Sequence, residues 1–329
     1  MTRRARKIAV GAAVLVLVVG ASVWLLTRGT TKHHVGTGAP TSTSSVPSTG
    51  GVGTKSGVLF GVSAGTTDLS QPGRVQAVNE LQQSLGVDVS IVHVYRGKID
   101  QPIGTASDRQ FIADGKTLLI SWAGTDTLDM ARGAADSVIA QRAREVAALK
   151  VPVYFEYRWE MDRPNLASVV HSGKDYIAAW NRVRSVFRAQ KVTNAQFVWC
   201  PQAKGFATGR AQSYYPGDAQ VDWICADLYS PNNQSVQSFA TLAAPFLKWS
   251  DGHDKPIMFG EFGADETWGS AKRAQWISDI APVVTAYPRI KALVYYNSNA
   301  GAARYSLSGD PGALGALAAV AKKFGAKAI

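Results

Sequence analysis

VPVYFEYRWEMDRPN, residues 151–165, opens as a buried strand and closes in a burst of charge. Glu156, Arg158, Glu160, Asp162 and Arg163 fall within eight positions of one another, threaded with Tyr154, Phe155, Tyr157 and Trp159. A solvated surface face does not follow directly on an apolar VPV with aromatics interleaved. A strand that delivers polar groups into a cleft does.

Working outward from that stretch, short β-branched or aromatic runs alternate with longer amphipathic ones. The strand candidates are 58–62 (VLFGV), 89–95 (VSIVHVY), 117–122 (TLLISW), 151–159, 196–200 (QFVWC), 221–229 (VDWICADLY), 256–262 (PIMFGEF) and 290–297 (IKALVYYN). Between them, apolar residues at three- and four-residue spacing predict helices, among them 136–150, 174–190, 238–249 and 270–284. Nearly continuous apolar strands alternating with helices indicate a parallel sheet covered on both faces, and eight such units predict a closed (β/α)8 barrel over residues 57–329.

The N-terminal part has a different composition. Residues 8–26 form a nineteen-residue apolar run, preceded by RRARK and followed by Arg28, long enough to cross about 30 Å of hydrocarbon. It reads as a membrane anchor with its basic end inside, residues 1–28; a cleaved signal peptide is the competing reading. Either way the working domain lies outside the cytoplasm. Residues 29–56 are almost wholly Gly, Ser, Thr, Pro and Val, a flexible tether in which His33 and His34 carry no metal role. The net charge of +11 owes seven charges to Arg3, Arg4, Arg6, Lys7, Arg28, Lys32 and Lys55, and removing these leaves +4. That remainder gives no reason to expect nucleic acid as a partner.

In a (β/α)8 barrel the chemistry sits where strands end. Glu160 follows the fourth strand and Glu261 ends the seventh, Asp227 and Tyr229 close the sixth, Trp122 the third and Asn297 the eighth. Two carboxylates on opposite walls of one mouth, among aromatics, are what hydrolysis of a glycosidic bond requires: one protonates the leaving oxygen, the other attacks the anomeric carbon or activates water. The plain alternative for Glu160 is an ion pair with Arg158 or Arg163. For Glu261 the sequence GEFG suggests glycines that let a substrate come close.

The motifs WEMD (159–162), VWCPQ (198–202), YYPGDAQVDWICADLY (214–229) and KPIMFGEFG (255–263) together resemble glycoside hydrolase family 26, the retaining β-mannanases and related β-glycanases of clan A. The similarity runs from about Gly57 to about Asn299. By that resemblance Glu160 is the acid/base, Glu261 the nucleophile, and Tyr229 the hydroxyl that hydrogen-bonds and orients the nucleophile. Glu160, beside Trp159, is then expected to have a raised pKa and stay protonated, and Glu261 to be ionised. The sequence departs from the family at four places. Trp159 stands where the family usually has His, Asp162 where it has Asn, and Glu156 where it commonly has Arg; the aromatic expected near the end of the eighth strand is Tyr295 or Tyr296 and not Trp. Since Glu156, Arg158 and Glu160 share one face of a strand of period two, Glu156 and Arg158 are expected to form an interior pair below Glu160.

Trp122, Trp159 and Trp199, at strand ends, are the candidate platforms on which sugar rings stack, with Tyr296 and Asp162 as further substrate-binding candidates. Trp180, Trp276 and Trp223 read as core, as does His93. Cys200 and Cys225 lie in apolar strands and are compatible with one disulfide or with two buried thiols. No cluster has metal-ligand spacing and no glycine-rich phosphate loop follows a strand, so neither metal nor cofactor is expected. The chain therefore reads as an exported, membrane-tethered β-glycanase, monomeric, with a polysaccharide substrate. A non-catalytic carbohydrate-binding barrel and an envelope-glycan transglycosylase are the alternatives.

Overall fold

The computed structural model describes residues 57–230, 236–299 and 304–326. The expected anchor and tether, 1–28 and 29–56, lie outside the described residues. No described helix is long and apolar enough to cross a membrane.

Eight strands, β1 (Leu59–Ala64), β2 (Ile91–Arg96), β3 (Thr117–Trp122), β4 (Val153–Tyr157), β5 (Ala195–Trp199), β6 (Trp223–Tyr229), β7 (Ile257–Gly263) and β8 (Ile290–Asn297), pair in sequence order. Every pairing is parallel, and β8 closes on β1. This is the expected (β/α)8 barrel. Alternation along each strand splits the apolar residues into two cores. Ile91, Leu119, Tyr154, Val198, Met258 and Val294 point inward and fill the lower barrel. Their neighbours Val92, Leu118, Phe155, Phe197 and Phe259 point outward to the surrounding helices. The next inward positions up the strands are polar: His93, Ser121, Glu156 and Asp227, all buried.

Helix signals explain the cover. In Gly173–Ala189, Tyr176, Ala179, Trp180, Val183 and Phe187 are buried at helical spacing, and Ser172 caps the first turn by accepting from the Asp175 amide. The helix expected over 270–284 is two, Ser270–Ser278 and Ile280–Ala286. Pro282 is the reason: its ring clashes with the carbonyl four residues back, at Ser278, and it fits only in the first turn of a new helix. Trp180, Trp276 and Trp223 are core, as expected.

Buried arginines pin the loops that form the mouth. Arg142 donates to the carbonyls of Asp100 and Gln101 after β2, and Arg96 to that of Pro102. Arg273 donates to Ala264 O after β7 and to Ser306 O after β8, and pairs with Asp310 at 2.7 Å. Guanidinium groups spread over several carbonyls satisfy loop backbone that would otherwise be buried without partners.

Candidate active site

Strand β4 stops at Tyr157, two residues earlier than the sequence suggests, because the chain then takes left-handed turns at Arg158 (φ 50°) and Glu160 (φ 47°). Each costs a non-glycine residue on the order of 1 kcal/mol. Both are held by backbone bonds to the neighbouring strands: Arg158 N–H donates to Trp122 O at 2.9 Å and Glu160 N–H to Cys200 O at 2.8 Å. The strand period therefore fails here. Arg158 does not pair with Glu156 as expected; its guanidinium turns to Thr125 O at 2.6 Å.

Glu160 is 5% exposed; its Oε1 accepts from Gln202 Nε2 at 2.9 Å and its Oε2 meets Arg163 at 2.9 Å. Asp162, expected to touch substrate, is instead a buried brace. Its Oδ1 accepts the Gln202 amide at 2.9 Å and its Oδ2 faces Arg210 Nε at 3.4 Å, so it ties the end of β5 to the loop after β4. A Cβ at Gly205 would sit 2.2 Å from Asp162 Oδ2, which is why that position is glycine.

Glu261, on the opposite wall, is likewise 5% exposed. Both its oxygens accept phenol hydrogens: Tyr229 donates to Oε2 and Tyr95 to Oε1 at 2.8 Å. Burial, then the charge of Glu160, push Glu261 up to about 7 against the pull of Tyr229 and Tyr95. Burial also raises Glu160, which Arg163 partly offsets. The expectation that only Glu160 is raised is thus corrected, because desolvation acts on both groups. Two carboxyls so coupled titrate as a pair. The glycines of GEFG serve packing rather than substrate access. A Cβ at Gly260 would meet Cys225 Sγ at 2.7 Å and Cys200 Sγ at 3.0 Å, and one at Gly263 the Tyr305 ring at 2.8 Å.

Aromatic rings surround the pair. Tyr95 lies 5.4 Å from the half-buried Trp159 and 6.4 Å from Tyr296; Tyr229 is 5.9 Å from Tyr296 and stacks on Tyr305 at 4.5 Å. Trp122 and Trp199 are not among them, which corrects their reading as platforms. Both are fully buried on the outward side of the barrel. Trp122 packs on Phe155 and Tyr157 and donates to Ile99 O, and Trp199 packs among Phe206, Tyr215 and Trp249. Position at a strand end does not tell inward from outward; one residue reverses the face.

The structure adds residues that sequence reasoning missed. Tyr95 and Gln202 each bond one of the two carboxyls; of the two arginines that the sequence offered as partners of Glu160, it is Arg163 that pairs with it. Gln202 lies inside VWCPQ and Tyr95 two inward positions above Ile91, so motif and alternation could have found them. Cys200 and Cys225 are joined in a disulfide. With Asp227 their atoms cluster within 4.8 Å, but bonded sulfurs offer no thiolate to a metal. A sulfur without a proton 3.1 Å from Asp227 Oδ1 fits a neutral acid, and burial holds Asp227 far above the usual carboxylate range.

No protein-family model matches the chain. Endoglucanase H of Acetivibrio thermocellus is 26% identical over 270 residues, 74% of this chain; the match spans 28% of that protein's length. A β-1,3-xylanase of Alcaligenes sp. is 24% identical over 154 residues, 43% of this chain and 30% of that protein. Among solved structures, the catalytic domain of a GH26 endo-β-1,4-mannanase from Bacillus sp. JAMB-750 superposes with a TM-score of 0.64 at 17% identity, covering 81% of this chain and 86% of that one. A GH26 β-mannanase from Bacteroides ovatus gives 0.57 at 16%, covering 80% and 88%. The chain has the barrel fold of these enzymes, and with its four strand-end motifs in order it resembles glycoside hydrolase family 26.

Proposed function

We propose that this chain is an exported glycoside hydrolase that cleaves a β-mannan or related β-glycan with retention of configuration. The observation that carries the reading is the arrangement of Glu160 and Glu261: two buried carboxyls on opposite strands of one mouth, electrically coupled, and ringed by Tyr95, Trp159, Tyr229, Tyr296 and Tyr305. A binding module has no use for a second buried carboxylate carrying two phenol donors.

In the proposed first step Glu261 attacks the anomeric carbon while Glu160 gives its proton to the departing oxygen, so the glycosidic C–O bond breaks as the ester forms. Esterification removes the negative charge of Glu261. Glu160, which has given up its proton, no longer faces a second carboxylate charge, so it stays ionised and is available to take a proton from the water that hydrolyses the ester. Tyr95 and Tyr229 hold both oxygens of Glu261 and fix the direction of its lone pairs. Gln202 holds Glu160. Retention implies a carboxyl separation of roughly 5 to 5.5 Å.

The relatives named for β-mannan, β-1,3-xylan and glucan set the panel. Purified protein incubated with each polysaccharide should release reducing ends from at least one, and proton NMR of the first-formed product should show the β-anomer. Binding without turnover on every member would refute the hydrolase reading, and an α-anomer the nucleophile role of Glu261.

Export and anchoring rest on the nineteen apolar residues 8–26 behind RRARK, and the disulfide between Cys200 and Cys225 suits an oxidising compartment. Residues 29–56 would let the barrel sample roughly 30 Å from the membrane by flexible-chain scaling. Full-length protein in the membrane fraction supports the anchor; a soluble form lacking the first 28 or so residues makes it a cleaved signal.

A further inference from the structure

Glu156 is a buried carboxyl that the proposed mechanism does not use. It is 1% exposed, and no Lys or Arg among the described residues pairs with it. Its Oε1 has no hydrogen-bond partner. Its Oε2 contacts Ser121 Oγ, which lies 2.6 Å from His93 Nε2. The other ring nitrogen, Nδ1, faces Gly260 O at 3.2 Å and the Tyr95 hydroxyl at 3.1 Å, and that hydroxyl reaches Glu261 Oε1 at 2.8 Å. Five side chains from β2, β3, β4 and β7 thus form one unbroken line through the barrel.

Counting protons along the line fixes its direction. The Tyr95 hydroxyl gives its hydrogen to Glu261 Oε1 and a carbonyl oxygen only accepts, so Nδ1 faces two acceptors and carries one hydrogen shared between Gly260 O and the Tyr95 oxygen. His93 is buried and meets no carboxylate directly, since Ser121 Oγ stands between Nε2 and Glu156 Oε2, 3.7 Å away; burial likewise pulls the ring down to about 3, so it is neutral and Nε2 is bare. A bare Nε2 must receive the Ser121 hydroxyl hydrogen. Ser121 then has none left for Glu156, and two oxygens in contact need a hydrogen between them. We propose that Glu156 is held as a neutral carboxylic acid whose O–H begins a one-way chain, through Ser121, His93 and Tyr95, that ends on the carboxylate of Glu261 and fixes its orientation.

The surroundings agree. The ionisable groups whose charge or burial bears on Glu156 are His93 from β2, Glu160 beyond β4, Asp227 from β6, Glu261 from β7 and, more remotely, Tyr176 from the helix Gly173–Ala189; Arg158 is turned to Thr125 O. None supplies a positive charge. Burial, reinforced by the charges of Glu261 and Glu160, holds Glu156 well above the usual range. As an acid it leaves a carbonyl oxygen unpaired; as an anion it would leave half a carboxylate charge so. Glu156 is therefore a positioning residue. Its effect on catalysis rests on the nucleophile assignment of Glu261, whereas its own protonation and the tautomer of His93 do not.

Two measurements on the resting protein test the proposal without turnover. Infrared difference spectra with 13C-labelled glutamate, taken above the pH at which Glu261 ionises, should show a protonated-carboxyl band that persists in Glu160→Gln and disappears in Glu156→Gln. Nitrogen-15 NMR of wild-type protein should show His93 protonated at Nδ1 and bare at Nε2. Failure to find the band, or a His93 protonated at Nε2, overturns the proposal even if the variants fold poorly. On a substrate that the protein turns over, Glu156→Gln keeps an N–H donor to Ser121 and should retain about tenfold more kcat than Glu156→Leu. Equal losses in the two variants would also overturn it.

Discussion

Replacing Tyr229 by Phe deletes the donor to Glu261 Oε2 and leaves the ring that stacks on Tyr305. A hydrogen bond to an ionised group contributes about 1.5–3 kcal/mol, which at 1.36 kcal/mol per pH unit is roughly one to two units. The sign follows from which form the donor favours. The phenol stabilises the ionised carboxylate and lowers its pKa, so its loss raises Glu261 from about 7 to roughly 8–9. At pH 7 the ionised fraction then drops from about a half to between about a tenth and a hundredth, and kcat/KM should fall about five- to fiftyfold at that pH. The assay is kcat/KM against pH for wild type and variant on one substrate. The acid limb should move to higher pH, and activity should recover towards alkaline pH until the limb set by Glu160 intervenes. A uniform loss at every pH, with the acid limb unmoved, would show that Tyr229 acts through packing alone and refute the electrostatic reasoning.

Trp199→Ala should cost about 3–5 kcal/mol in denaturant unfolding, as a fully buried ring whose site cannot collapse, whereas Trp159→Ala should raise KM with a small change in stability. Gly260→Ala drives a Cβ into the disulfide and should destabilise by about 1–3 kcal/mol or more, while Gly315→Ala, exposed in the helix Pro311–Lys323 with nothing near its Cβ, should stabilise by about 0.5–1 kcal/mol; paired thermal melts decide both. Glu156, Glu160, Asp227 and Glu261 are all raised, so the folded state keeps protons that the unfolded chain has released. Their contribution to stability is fully present below about pH 4 and is lost as pH rises through about 7 for Glu261; exposed acids shifted the other way, such as Asp68 and Asp136, are screened by solvent. Calorimetry should therefore find Tm falling from about pH 5 to 8, and a rise across that range contradicts the argument.

The barrel was legible because its determinants are local and repeated. Eight apolar runs, each a strand long, recur with helical patterns between them, and no single boundary matters: β1 begins one residue later than the run at 58–62 and β2 two residues later than that at 89–95, without consequence. The positions of Glu160, Tyr229 and Glu261 at the mouth are legible for the same reason, since each lies at a strand end. What a strand end does not reveal is the face. Trp122 and Trp159 look alike in sequence, yet one is sealed beneath helices and the other lines the cleft. Nor does a linear chain reveal that Cys200 and Cys225, 25 residues apart, come to a Cα separation of 4.4 Å on adjacent strands.

The end of β4 is where reasoning from period two broke down, and the failure has a cause with functional weight. Alternation assumes extended backbone, but Arg158 and Glu160 both turn left-handed, so neither side chain points where the pattern sends it. The turn carries Arg158 away from Glu156 and brings Glu160 under the amide of Gln202 and the guanidinium of Arg163. A continued strand would have set an arginine into the barrel beside Glu156, ionising it and placing a cation among the groups that lead to Glu261. The strain at two residues, on the order of 1 kcal/mol each, thus keeps positive charge out of the interior. Burial without a nearby cation raises the proton affinity of Glu156, Asp227 and Glu261 there. In the proposed mechanism Glu160 serves first as acid and then as base while Glu261 gains and loses a covalent bond, and a guanidinium fixed beside Glu156 would favour the ionised form of both throughout.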